Sequence, residues 1–344
     1  MLIAKVFENS SDGIMITDAR GVILCVNHAF TRVTGYASEE AIGRTPRMLK
    51  SGRQSQAFYK NMWAYLLKTG SWQGEIWNRR KSGEIYPEWL MVDAIKDEKG
   101  SVTHYLAVFM DITEKEQLKK ELILAGKIQA ELLPLDFEER TATVRTIYQP
   151  YRYVSGDLYD YKWKKERTIL FGYLMDVMGH GLATALQTSA LRVLFHQIMS
   201  KDDSLTDKLF YINNEALRFF TDDTLAAAIC FEFDFEKHTL TYASAGINYF
   251  ISSAEHLIKI EGTFLGVMED VCFEQHVLHF NAGDCFYFMT DGLFDALPQS
   301  FRGTDSFERT VKDLCTYAAN KGCKDDASAI CLKVNDNHVV RRSG

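Results

Sequence analysis

Residues 282–296 read AGDCFYFMTDGLFDA, and the fold of the larger part of the chain turns on where that stretch breaks. Cys285 to Met289 is a short unbroken apolar run, the length of a strand buried on both faces. It stops on Thr290-Asp291-Gly292, where a carboxylate meets a glycine at the strand end. Three other places repeat the pattern. Val154-Ser-Gly-Asp157 follows an extended run, and Asp176 ends the apolar strand Ile169 to Met175 and opens Asp176-Val-Met-Gly-His-Gly181. Lys324-Asp325-Asp326 precedes the last strand, Ala327 to Val334. Singly, each is a common turn or a solvated loop. Together they set carboxylates at four strand ends, each beside a glycine or a second carboxylate, so that oxygen ligands can ring a hard divalent cation.

Upstream the texture changes. From Val6 to Thr113 short strand-like runs are broken by turn signals: Gly13 to Gly21 and Val22 to Asn27 read as a hairpin. Gly74 to Arg80 and Ile85 to Lys96 flank the turn Lys81-Ser-Gly83, and Val102 to Met110 follows Glu98-Lys-Gly100. An antiparallel sheet of about five strands is expected. Between the hairpins, Phe58, Met62, Trp63, Leu66 and Leu67 recur at helical spacing over Gln56 to Thr69. Thr113-Glu-Lys-Glu116 has the form of a capping box and opens a helix through Leu118, Leu122, Ala125, Ile128 and Leu132 to Pro134. That stripe fits either a short coiled-coil seam or an amphipathic helix lying on its own domain, and Gly126 costs it about 1 kcal/mol relative to alanine.

A chain of 344 residues is long for one core, so two domains are expected, joined by this helix. Its 39 Lys and Arg against 46 Asp and Glu, net −7, have the wrong sign for a general nucleic-acid binder, and phosphate chemistry would need a bound cation. No apolar run is long enough to span a bilayer and Met1 to Asn9 lacks a signal-peptide core, which reads as a cytoplasmic protein without membrane insertion. Seven scattered cysteines with no C-x-x-C spacing read as buried reduced thiols.

The phrases SSDGIMITDARGVILCVNHAFTRVTGY (10–36), NRRKSGEIYPEWL (78–90) and the closing DIT (111–113) resemble PAS sensor domains. The resemblance implies a pocket between sheet and helices that holds flavin, haem, a metabolite or nothing. The segment that bears the reactive cysteine in light-sensing flavin relatives has Pro46 here, which disfavours a cysteinyl-flavin adduct. His28 and His104 are poor haem candidates, because lone histidines in strand-rich domains are mostly surface or hydrogen-bonded residues. Trp77 and Asn78, with Trp72 and Trp89, are weak candidates for a non-covalent flavin pocket, against the plainer reading as core.

The second half resembles the SpoIIE/RsbU branch of the PPM phosphatases. The resemblance rests on KIQAELLP (127–134), GHGLATALQTSALR (179–192), SAGIN (244–248), LGV (265–267) and AGDCFYFMTDGLFDA (282–296), and spans about residues 127 to 334. It implies an α+β chain: a PAS domain over 1–113, a helical linker over 114–134 and a PPM-type α-β-β-α sandwich over 135–344. It also implies two Mn²⁺ or Mg²⁺ ions, with Asp176 shared between them and the backbone carbonyl of Val177 on one. Asp291 and Asp325 would complete the other site, and Asp157 would lie on the second metal's side through water. The four aspartates would act through a water that the metals activate. Which of Asp325 and Asp326 points inward is left open. Ser155-Gly-Asp157 replaces the usual Gly-Gly-Asp and Asp325-Asp-Ala-Ser328 the usual Asp-Asp-x-Thr; neither departure removes a carboxylate. His180, between two glycines at a helix start, serves local structure as readily as acid catalysis.

The implied activity is signal-regulated hydrolysis of phosphoserine or phosphothreonine on a regulatory protein, a STAS-type anti-sigma-factor antagonist, in a stress-response pathway that controls a sigma factor. A homodimer through the linker helix and PAS domain is expected. The alternative is a non-catalytic, ligand-sensing regulator that binds partners through a phosphatase-like domain. A cyclic-dinucleotide synthase is disfavoured because Leu158 and Tyr159 follow Ser-Gly-Asp, and a histidine kinase because no phospho-acceptor helix with a glycine-rich nucleotide lid is visible.

Overall fold

Strand alternation builds the first part of the chain. β1 (Gly13–Asp18) alternates buried and half-buried residues and pairs with β2 (Ile23–Val26) as the expected hairpin; α1 (Leu2–Asn9) precedes them. Helices α2 (His28–Thr34), α3 (Ser38–Ala41) and α4 (Gln56–Thr69) follow, then β3 (Ser71–Arg79), β4 (Ile85–Lys96) and β5 (Val102–Asp111). The sheet is antiparallel in the order β2-β1-β5-β4-β3, and Met15, Phe30, Leu66, Ile76, Leu90 and Phe109 lie in its core. Asn27 starts α2 by accepting the N–H of Phe30, and Gly70 ends α4 in the left-handed region, so β3 begins three residues before the expected Gly74. This computed structural model describes residues 2–179, 181–221, 224–320 and 324–336, and the chain divides into two units, Met1–Glu121 and Leu122–Gly344.

α5 (Thr113–Glu131) starts where expected but not by the expected cap. Thr113 is itself helical, and its N–H and hydroxyl both donate to Oδ1 of Asp111, at 2.9 and 2.6 Å. The carboxylate at the end of β5 therefore caps the helix, where a negative charge also suits the dipole. Within one chain the apolar stripe is only partly covered: Leu118, Ile128 and Leu132 are exposed, Leu122 and Ala125 are half-buried, and Gln129 is the buried residue of this helix.

The second unit contains β6 (Phe137–Glu138), β7 (Ala142–Gln149), β8 (Asp157–Lys164), β9 (Ile169–Val177), α6 (Leu182–Met199), α7 (Leu205–Ala216), β10 (Ala226–Asp234) and β11 (Thr239–Ala245). It continues with β12 (Tyr249–Ser252), β13 (His256–Lys259), β14 (Gln275–His279), β15 (Cys285–Met289), α8 (Asp291–Asp295), α9 (Phe307–Ala318) and β16 (Ala327–Val334). Among the described residues these strands form two antiparallel sheets, β14-β11-β10-β9-β8 and β13-β12-β15-β16-β7-β6. Leu174, Phe231, Phe250 and Phe288 fill the space between the sheets, with Phe231 and Phe288 stacked at 4.2 Å. Tyr173 stacks on Phe195 of α6 at 4.1 Å outside one sheet, and Tyr287 packs with Leu293 and Leu314 of α8 and α9 outside the other. The result is the expected α-β-β-α sandwich.

Helices outside and a second sheet inside explain the unbroken apolar runs: β15 is buried throughout, and the one residue of β9 that is not fully buried is Asp176. Cys230, Cys285 and Cys331 are buried thiols as expected, but Cys272 and Cys315 are exposed because they sit on a loop and on the solvent side of α9; Cys323 lies outside the described residues. No described helix is long and apolar enough to cross a membrane.

Candidate metal centre

Strand pairing brings the first two carboxylates together. β8 and β9 run antiparallel with Asp157 directly opposite Asp176, and β10 places Ala227 on the other side of Asp176. Small residues permit this approach: a Cβ on Gly156 would stand 2.5 Å from the carbonyl oxygen of Val177. From the other sheet, β15 delivers Thr290 and then Asp291 at the start of α8. Thr290 Oγ1 donates to Asp157 Oδ2 at 2.9 Å and accepts the N–H of Ser328 at 3.0 Å, which ties the two sheets together beneath the site. A Cβ on Gly292 would meet the carbonyl oxygen of Asp326 at 2.1 Å, so glycine is what lets α8 begin against the segment that carries Asp325.

Asp176, Asp291 and Asp325 line one cleft of about 380 Å³, walled by the Met178–Gly179 backbone, Tyr249 and Phe264. Asp157 lies behind it, fully buried. Asp326 turns elsewhere: its two oxygens accept the N–H groups of Tyr151 and Gly156, both at 2.7 Å. Of the acidic pair, therefore, Asp325 faces the cleft and Asp326 clamps the 151–156 loop. Val177 is buried in β9 with its N–H on the Gly156 carbonyl, and His180 lies outside the described residues.

The electrostatics of this cluster are those of crowded anions. Burial, then the charges of Asp291 and Asp325, push Asp176 up to about 7. Burial also raises Asp291, and the charge of Asp325 raises it further. Asp157 is held well above the usual carboxylate range by burial and by Asp176, and its Oδ1 is buried with no hydrogen-bond partner. Among the described residues no Lys, Arg or His lines the cleft, and no three metal-ligating side chains close a cage by themselves. The orphaned Oδ1 of Asp157, beside a cleft whose described lining holds three carboxylates and no cationic side chain, fits divalent cations whose coordination is completed by backbone carbonyls and water.

Some participants were given no site role by the sequence, although Gln129 lies in the KIQAELLP phrase and Gly126 stands out in its helix. Gln129 of α5 accepts the N–H of Ser155 at 3.0 Å and donates to its carbonyl at 2.8 Å, and Ser155 Oγ accepts the N–H of Asp157. A Cβ on Gly126, one turn earlier, would stand 1.7 Å from the carbonyl oxygen of Tyr153, so glycine there serves close docking of the helix on the 151–157 loop. Both are long-range contacts that nothing local announces. In the first unit, Trp77 and Asn78 point to opposite faces of β3: the Arg53 guanidinium sits 4.1 Å over the Trp77 ring, while buried Asn78 donates to Glu88 Oε1 at 2.8 Å. Tyr86 donates to Glu88 Oε2 at 2.7 Å. Burial outweighs these two donors and pushes Glu88 up to about 7.

Comparison with known proteins agrees with this layout. Residues 167–337 match the family model described as Stage II sporulation protein E (SpoIIE), and residues 2–112 match the PAS fold. Over 196 residues the chain is 29% identical to phosphoserine phosphatase RsbP of Bacillus subtilis, covering 53% of this chain and 47% of that protein. It is 23% identical to phosphoserine phosphatase RsbU of the same organism over 64% of this chain and 68% of that one. A nitrogen fixation regulatory protein of Klebsiella oxytoca is 30% identical over 42% of this chain and 31% of its own length, so the chain spans a third to a half of several relatives. The SiaA-PP2C domain of Pseudomonas aeruginosa shares the fold, with a TM-score of 0.51 and 20% identity over 65% of this chain and all of that domain.

Proposed function

We propose that this chain, a PAS domain joined to a SpoIIE-type domain, is a signal-regulated, metal-dependent phosphatase of phosphoserine or phosphothreonine on a regulatory protein, a STAS-type anti-sigma-factor antagonist. The observation that carries the reading is the convergence of Asp176, Asp291 and Asp325 on one cleft with Asp157 behind them. Two Mn²⁺ or Mg²⁺ ions bound there would supply Lewis acidity toward phosphate oxygens and toward water. Asp176 would bridge the ions, Asp291 and Asp325 would hold one of them, Asp157 would act on the other side through water, and the Val177 carbonyl would add a backbone ligand. Thr290 keeps Asp157 oriented, and Asp326 holds the 151–156 loop in place through backbone N–H groups. The RsbP and RsbU likeness supports a phosphoprotein substrate.

The proposed division is a sensor over 1–113, a linker over 114–134 and a catalytic domain over 135–344, in a cytoplasmic dimer. Support for a dimer comes from Leu118, Ile128 and Leu132, exposed along the α5 stripe, and from Trp89, Met91 and Met110, exposed on strands β4 and β5 of the PAS sheet. Support for regulation through α5 comes from Gln129, which links the linker to the loop between Tyr151 and Asp157. Leu118 and Leu122 replaced together by polar residues should lose the dimer and change the turnover rate, read by light scattering and assay on the same samples. The decisive test of activity is hydrolysis of p-nitrophenyl phosphate and of a phosphoserine protein with added Mn²⁺. Turnover that persists after chelation, or no turnover of either ester with metal, would overturn the assignment and leave the non-catalytic regulator.

A further inference from the structure

The cleft offers a phosphoprotein little to hold, since its described wall carries three carboxylates and no cationic side chain. A protein substrate needs contacts beyond it. A second, half-open cavity of about 540 Å³ lies further along α8. Ile251, Leu257, Phe294 and Phe301 give it an apolar wall, with Asp295 and Arg302 beside them. Arg302 is fixed there by donating to the carbonyls of Gln299 and Phe301, at 2.6 and 2.8 Å, and among the described residues no carboxylate pairs with it.

The two cavities are neighbours. Tyr249 walls the cleft, Phe294 walls the second cavity, and their ring centroids are 3.8 Å apart. From Asp291 to Asp295 the helix rises by about 6 Å, which an extended peptide at about 3.3 Å per residue crosses in two or three residues.

We propose that this second cavity is a docking subsite for the protein substrate: it takes a large apolar side chain two or three residues from the phosphoserine, while a carboxylate next to that side chain meets Arg302. The inference rests on the phosphatase reading and names what that enzyme recognises. Leu257, Phe294 and Phe301 suit the apolar side chain and the Arg302 guanidinium, which no described carboxylate pairs, suits the substrate carboxylate; His256 and Asp295 also line the cavity, so the preference for an anionic segment is assigned to Arg302 alone and is tested there.

The test uses the full chain with Mn²⁺, p-nitrophenyl phosphate, and phosphoserine peptides carrying Leu-Glu or Leu-Lys two and three residues before or after the phosphoserine. One Leu-Glu peptide should show kcat/KM about tenfold above its Leu-Lys counterpart, the scale of a charge-assisted hydrogen bond. Arg302→Glu should invert that order, and Leu257→Asp should lower both peptides about tenfold, each with p-nitrophenyl phosphate turnover unchanged. A charge preference that survives Arg302→Glu, or peptide and small-ester rates that fall together, overturns the subsite. Competition by small organic acids without any peptide preference also overturns it, in favour of an effector pocket. If neither ester is hydrolysed, the phosphatase reading has failed separately, and anisotropy of the labelled peptides decides docking: equal binding to parent and Arg302→Glu protein overturns it.

Discussion

Glu88 in the first unit and Asp176 in the second are both strand carboxyls pushed to about 7 by burial, yet their surroundings differ in kind. Glu88 has a neutral donor on each oxygen, Asn78 on one and Tyr86 on the other. Asp176 faces Asp291 and Asp325, with Asp157 across the strand pair and one oxygen of Asp157 unpartnered. The first is a finished polar site that one proton completes. The second crowds carboxylates around one unpartnered oxygen, and no described side chain lining its cleft carries positive charge. A raised acidity constant alone does not separate the two cases; the partner inventory does.

The strongest way to break this contrast is Asp176→Asn. It should lower Mn²⁺-dependent turnover about a thousandfold or more. In chelator at pH 8 the same variant should melt above the parent, because removing one carboxylate relieves the others; a lower melting temperature would show that the cluster is not repulsive without metal. Next comes Glu88→Gln. The folded-state value of Glu88 lies above the ordinary 4.5, so its stabilisation is present below that pH and is lost as pH rises through about 7. The difference in unfolding free energy between parent and Glu88→Gln should therefore change by about 3 kcal/mol between pH 4.5 and 8, in favour of the variant at high pH. A pH-independent difference would place the ionised form in the folded state throughout.

Smaller effects sharpen the same comparison. Mn²⁺ at a hundred times its dissociation constant should stabilise the second unit by about 2.7 kcal/mol and leave the first unit's transition where it was. Calorimetry that shows both transitions moving would deny the separation. Asn78→Ala should cost about 1 to 2 kcal/mol at pH 8, where ionised Glu88 most needs the donor, and less at pH 5. An equal cost at both values would mean that Asn78 fills space rather than serving the carboxylate.

Much of this arrangement was legible before any coordinates, for identifiable reasons. Asp157, Asp176, Asp291 and Asp325 stood out because each lies at one end of a strand, three of them directly beside a glycine or a second carboxylate and Asp176 three residues before Gly179, and the two glycines at 156 and 292 prove to have backbone oxygens where a Cβ would go. The choice between Asp325 and Asp326 was not legible, because it depends on N–H groups of Tyr151 and Gly156, some 170 residues away in sequence. Gln129 and Thr290 act through equally distant partners. Glu88 did leave a trace: it falls in phase with Tyr86, Leu90 and Val92 on the buried face of β4, an alternation that marks an inward carboxyl. The helix cap was misplaced by two residues because Asp111, still in the strand, does what Thr113 was expected to do.

Gly126 has a mechanical consequence. Where α5 lies on the Tyr151–Asp157 loop, the carbonyl of Tyr153 occupies the one slot on the helix surface that has no Cβ, as a key sits in a keyway. Turning the helix by a single residue, about 100°, would bring Ala125 or Lys127 into that slot and drive a side chain into the oxygen. A shaft seated in this way resists torque, so any movement of it would have to be withdrawal and reseating, which would part Gln129 from Ser155 in the same stroke.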